Sequence, residues 1–236
     1  LAKPRCASYG RIMNTSPDIA ARRTYLLAQL GAAAQQAGRN PADITLVAVS
    51  KRQTDEAIAA ALDAGQRVFG ENRVQEAFEH WAERRTRFAD LELRLIGPLQ
   101  SNKAQDAVEL FDVIETLDRD KLAIALRKAM KVAGRTPRLL VQVNTGEEAQ
   151  KAGIAPAELS PFLTRMSTEH GLQIDGLMCI PPAAEPAGLH FALLAKLARE
   201  NGLKELSMGM SADFETAIAL GASSVRIGTA FFGPRD

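Results

Sequence analysis

Ile44-Thr-Leu-Val-Ala-Val-Ser-Lys51 is a short β-branched run, bounded upstream by Gly38 and Pro41, that ends in a hydroxyl and an amine. Such a run reads as a strand. From Thr54 the apolar spacing changes to Ile58, Ala61 and Leu62, the period of a helix capped by a hydroxyl, and Gly65 stops it. The same strand-then-helix unit recurs along the chain. Predicted strands are 44–50, 68–69, 91–96, 112–116, 139–143, 174–180, 205–208 and 224–227, each followed by a helical segment after a short loop. The 139–143 run is nearly all aliphatic, as expected of a parallel strand buried on both faces.

Eight βα steps are the count of a (β/α)8 barrel, so the expected fold is α/β, a single TIM barrel. An open doubly wound sheet is the competing reading. Residues 17–37 form an extra leading helix expected across the barrel bottom. One domain is expected, residues 16–236, preceded by an N-terminal extension, 1–15, that enters no part of the fold reasoning.

The chain has 236 residues, 46% apolar and 24% charged, enough to bury a full core. Lys and Arg total 29 against 28 for Asp and Glu, a net charge of +1 that gives no electrostatic reason to expect nucleic acid or an anionic membrane as partner. Nothing approaches the run of about 18 apolar residues that spans a bilayer. Cys6 and Cys179 make neither a disulfide framework nor a zinc set, which suits a reducing, cytoplasmic setting. Without a coiled-coil seam or an obvious dimerisation strand, a monomer is expected.

Active sites of these barrels lie at the C-terminal ends of the strands. There Lys51 leaves strand one, where partial desolvation lowers an amine's pKa and frees it for Schiff-base formation, unless it is a solvated rim lysine. Gly70, Glu71, Asn72 and Arg73 follow strand two, and Gly97, Gln100, Ser101, Asn102 and Lys103 follow strand three. Asn144 and Thr145 follow strand five, and strand six delivers Met178, a ligand contact or a core filler. Ser207-Met-Gly-Met-Ser211 and Arg226-Ile-Gly-Thr229 end strands seven and eight. Glycines and hydroxyls in those two loops are where such barrels seat phosphate, with Gly209, Ser211, Gly228 and Thr229 as the cup. Read this way, the cup stands opposite the lysine.

A lysine and a phosphate cup suggest a phosphorylated aldehyde, with pyridoxal 5'-phosphate the obvious candidate. Arg226 could then sit beside the pyridine nitrogen, where a permanently charged guanidinium donates a hydrogen bond and mutes carbanion chemistry.

Five segments carry a resemblance: Val47-Ala-Val-Ser-Lys51, Phe69-Gly-Glu-Asn-Arg-Val-Gln-Glu76, Ile96-Gly-Pro-Leu-Gln-Ser-Asn-Lys103, Leu206-Ser-Met-Gly-Met-Ser211 and Val225-Arg-Ile-Gly-Thr229. In this order they resemble the pyridoxal phosphate homeostasis proteins, a group of the alanine-racemase-like barrels of fold type III. The resemblance implies pyridoxal phosphate held on Lys51 as an internal aldimine. It places Asn72 near the ring, Ser211, Gly228 and Thr229 at the phosphate, and Arg226 at the pyridine nitrogen. Met178 and Ser207 complete the expected cofactor-binding set. It also implies a non-catalytic role in vitamin B6 balance, with apo-enzymes as candidate recipients. The Pro181–Gly188 connection departs from the pattern.

The alternative is an amino-acid racemase or another imine-forming enzyme. A racemase needs a second acid/base, usually a tyrosine from a C-terminal domain. This chain ends shortly after Thr229, and its tyrosines, Tyr9 and Tyr25, precede strand one. His80, His170 and His190 fall in helices and read as structural. An aldolase reading would draw on Glu71 and Lys103 as relays.

Overall fold

A computed structural model describes residues 19–234. Residues 1–18, with Cys6, Tyr9 and the 1–15 extension, lie outside the described residues. The chain opens with α1 (Ile19–Gln36) and then alternates strand and helix. The first half runs β1 (Thr45–Val49), α2 (Asp55–Asp63), β2 (Val68–Glu71), α3 (Val74–Arg87), β3 (Glu92–Leu95), α4 (Ala104–Leu110), β4 (Val113–Leu117) and α5 (Asp120–Ala133). The second half runs β5 (Arg138–Gln142), α6 (Leu159–Thr168), β6 (Gly176–Met178), α7 (Ala187–Glu200), β7 (Glu205–Ser207), α8 (Phe214–Ala219), β8 (Ser224–Ile227) and α9 (Thr229–Phe232). Local chemistry marks the boundaries. The Thr54 hydroxyl accepts from the Ala57 N–H at 3.3 Å to start α2. Gly134, at φ 61°, closes α5 in the left-handed conformation.

The eight parallel strands close in chain order, β8 pairing with β1 through Thr45–Ser224, Leu46–Val225, Val47–Arg226 and Ala48–Ile227. An open sheet is thereby excluded. β6 and β7 are shorter than expected, and their flanking residues run on as loop.

α1 packs against α2, α8 and α9, covering the β8–β1 seam. Its Arg23 bonds Gly65 O and Gln66, just ahead of β2. Beyond its C-terminus, Arg39 bonds Ile218 O and Ala222 O, ahead of β8. These anchors lie at the expected bottom face, while the body of the helix joins the outer ring.

Side chains alternate across each strand. Outward residues such as Leu46, Ala48, Phe69, Leu93, Leu95, Ile114, Leu139, Val141, Leu177, Leu206, Val225 and Ile227 join one large apolar core under the helices. Facing inward, only Val113, Leu140 and Met178 form a small apolar cluster of their own.

Candidate functional site

At the top of β1 the chain turns sharply. Ser50 is fully buried and donates to Glu71 Oε1 at 2.7 Å. Lys51 follows, half-buried, and Arg52 then takes a left-handed φ of 58°. A bulky residue in that conformation costs on the order of 1–3 kcal/mol and persists only where its surroundings impose it. Here the Glu76 carboxylate accepts the Arg52 N–H and holds the turn. Two carboxylates, one on each side, therefore fix the backbone that presents Lys51.

Val49 pairs with Gly70, so the next residues up set Lys51 beside Asn72. The two line a cavity of about 210 Å³ together with Arg52, Arg73 and Glu76. The Asn72 loop reaches this position by lying on Gly97, where an added Cβ would stand 2.2 Å from Asn72 O. Only glycine fits there.

On the other side of Lys51 the loops after β7 and β8 converge. Gly209 has φ 94°, and a Cβ on it would meet the Ala217 Cβ at 2.5 Å. Its carbonyl accepts from the Arg226 N–H at 2.9 Å, and the Ala230 N–H donates to the Ser211 hydroxyl at 3.4 Å. Ser211, Gly228 and Thr229 are thus brought together at the start of α9. The expected position opposite the lysine is corrected. Closure of the barrel makes β8 the immediate neighbour of β1, so the strand that carries part of the cup borders the strand that carries Lys51.

Beneath the mouth, the barrel interior is charged. Arg226, 4% exposed, donates from Nη1 to Ser207 Oγ at 2.6 Å and from Nη2 to Cys179 O at 2.7 Å. Ser207 in turn donates to Glu115 Oε2 at 2.6 Å. Arg94 reaches the other Glu115 oxygen at 3.2 Å and Glu92 at 2.6 Å. Arg138 joins Glu92 and Glu205 at the far end. Burial works against the charge on Arg94, but Glu115 and Glu92 outweigh it and raise its pKa. Met178 is fully buried with Val113 and Leu140 in the interior, the core-filling arrangement.

Glu71 faces the other way. Its fully buried Oε1 accepts from Ser50, from the Trp81 Nε1 at 3.0 Å, and pairs with His80 Nδ1 at 3.1 Å. Trp81 and His80 lie on α3, so this carboxylate sits between sheet and helix, and the relay considered from sequence loses its geometry. Lys103 pairs with Asp106 at 3.3 Å. His170 pairs with Asp120 and His190 with Glu185. Tyr25 is 60% exposed on α1. Cys179 is buried, which pushes its thiol pKa up to about 12 although Arg226 opposes the shift. A larger groove of about 680 Å³ lies between α6 and the segment leading into β6, and no charged side chain lines it.

Sequence reading missed Arg94 and Glu115. The available signal was the period-two placement of Glu92, Arg94, Glu115, Arg138, Glu205 and Arg226 on otherwise apolar strands.

The profile of the alanine racemase N-terminal domain family matches residues 27–236. A pyridoxal phosphate homeostasis protein of Pseudomonas aeruginosa is 44% identical over 226 residues, 92% of this chain and 96% of that one. Its Vibrio cholerae counterpart is 43% identical over 223 residues, 90% of this chain and 94% of that one. Among solved structures, PipY of Synechococcus elongatus with PLP bound is 41% identical, with a TM-score of 0.78 over 91% of this chain and 100% of that one. The chain belongs to the alanine racemase N-terminal domain family, among relatives named pyridoxal phosphate homeostasis proteins.

Proposed function

We propose that the protein binds pyridoxal 5'-phosphate on Lys51 and moderates the free concentration of the cofactor without turning over a substrate. The observation that carries this reading is the convergence at one mouth of Lys51 with Asn72 on one flank and the glycine–hydroxyl cup on the other. The donor set fits the group. An amine suits an aldehyde, and Ser211, Thr229 and the backbone around Gly228 suit a phosphate. The cradle at Gly209 tolerates no Cβ.

Bound there, the cofactor supplies an aldehyde that condenses with an amine and absorbs visible light. The chain's own residues orient it. Asn72 would lie beside the ring, while Ser211, Gly228 and Thr229 would take the phosphate and Arg226 would face the pyridine nitrogen. Met178 closes the interior side, and Ser207 acts through Arg226. The Arg226 guanidinium at that place would donate a hydrogen bond to the ring nitrogen, which would weaken the electron sink an enzyme needs. The described histidines support the same reading, since none of them lines the Lys51 cavity. The reading includes a monomeric, cytoplasmic protein with apo-enzymes as recipients, and no nucleic acid or membrane partner. No helix among the described residues is long and apolar enough to cross a membrane.

Lys51→Ala is expected to abolish the absorbance of the lysine-bound cofactor near about 420 nm while the melting temperature stays close to wild type. The same band in the variant would refute the assignment.

A further inference from the structure

The interior charges make a column of alternating sign. Glu205, Arg138, Glu92, Arg94 and Glu115 are joined in that order by ion pairs, and Ser207 links the last carboxylate to Arg226. Three guanidiniums face three carboxylates. The lower charges, Arg138, Glu92 and Glu205, are part-exposed, whereas Arg94, Glu115 and Arg226 are buried. Burying such charges usually gains little stability over an apolar filling, because desolvation offsets the attraction. The buried upper end therefore needs an explanation other than stability, and it stands where the cofactor is expected.

Two observations single out Glu115. It is fully buried and shared between two cations, 3.2 Å from Arg94 Nη1 and 3.9 Å from Arg226 Nη1. It also lies where the β4–β5 register slips, between the Ile114–Leu139 and Leu117–Val141 pairs. Such bulges re-aim a side chain and concentrate near functional sites.

The direction of the hydrogen bonds follows from its charge. A carboxylate has no proton to give, so Ser207 must point its only hydroxyl proton at Glu115. The Ser207 lone pairs are then left for Arg226, whose other bond, to Cys179 O, completes a two-point hold on the guanidinium.

Building on the cofactor assignment above, we propose that Glu115 is the positioning residue that sets Arg226 for the cofactor's ring nitrogen. It acts through Ser207 and touches no ligand itself. Its negative charge also offsets Arg226, which favours the protonated form of the lysine–cofactor linkage.

The test compares wild type, Glu115→Gln, Ser207→Ala and Glu205→Gln for pyridoxal phosphate affinity, for the pH midpoint of the lysine-bound band, and for melting of the cofactor-free protein. Glu115→Gln is expected to bind about tenfold more weakly, the size of one charge-assisted hydrogen bond. Its midpoint should also move to lower pH, since an uncompensated guanidinium disfavours a second cation. Ser207→Ala keeps both charges and cuts the link, so it should lose affinity with a smaller change of midpoint. Glu205→Gln, at the part-exposed far end of the column, should leave affinity, midpoint and melting temperature close to wild type. A Glu115→Gln protein with wild-type affinity and midpoint overturns the proposal. If that variant fails to fold, Ser207→Ala with wild-type affinity overturns it instead. A wild-type protein without the band, or Lys51→Ala with it, refutes the cofactor assignment itself.

Discussion

The two faces of the same eight strands differ in chemistry. Outward, Leu93, Ile114, Val141 and Val225 meet helices through apolar contact, which is non-directional and tolerates exchange of similar side chains. Inward, Arg94, Glu115 and Arg226 meet one another through bonds that depend on charge, distance and proton placement. Outward packing closes the barrel, whereas inward charges arrange its mouth. Stability and cofactor binding should accordingly respond to different substitutions.

The strongest separation is expected from Phe162, fully buried on α6 in the outer core. Phe162→Ala should lose about 3–5 kcal/mol in a denaturant melt, the usual cost of deleting a buried aromatic ring. Cofactor affinity per folded molecule should be unchanged. Lys51→Ala should do the reverse, and a Phe162→Ala protein with weakened binding would blur the division between the faces.

A smaller effect is expected where the Glu71 carboxylate enters the outer layer and meets His80. The hydrogen bond to Glu71 raises the His80 pKa against its burial, with Glu76 and Asp55 adding to the rise. The folded value then lies above the ordinary histidine value of about 6.5, so the stabilisation is fully present below that pH. It is lost as pH rises through the raised value. His80→Gln should therefore narrow the gap in melting temperature from wild type as pH goes from about 6 to about 9. A gap constant over that range would deny His80 this role.

Strand positions were legible because β-branched runs between glycines and caps are local signals, as in 44–50 and 224–227. The mouth was legible for the same reason, since a barrel fixes which strand ends carry chemistry. Across-barrel relations were not. Arg94 reaches Ser224, 130 positions away, and Ser207 reaches Glu115, 92 positions away. No local window contains such pairs. The orientation of Glu71 could have been found from parity, because Gly70 points inward, where its Cβ would meet Val47 and Ile96, and the next residue must point out. The position of the cup relative to Lys51 follows from closure, because β8, last in the chain, is the direct neighbour of β1.

The central claim is a bond to one amine. Borohydride reduction of the protein loaded with pyridoxal phosphate, followed by peptide mass mapping, reads that bond directly. A stable mass increase confined to the peptide carrying Lys51 is the predicted result. Its absence there, or its appearance on a different lysine, would contradict the account.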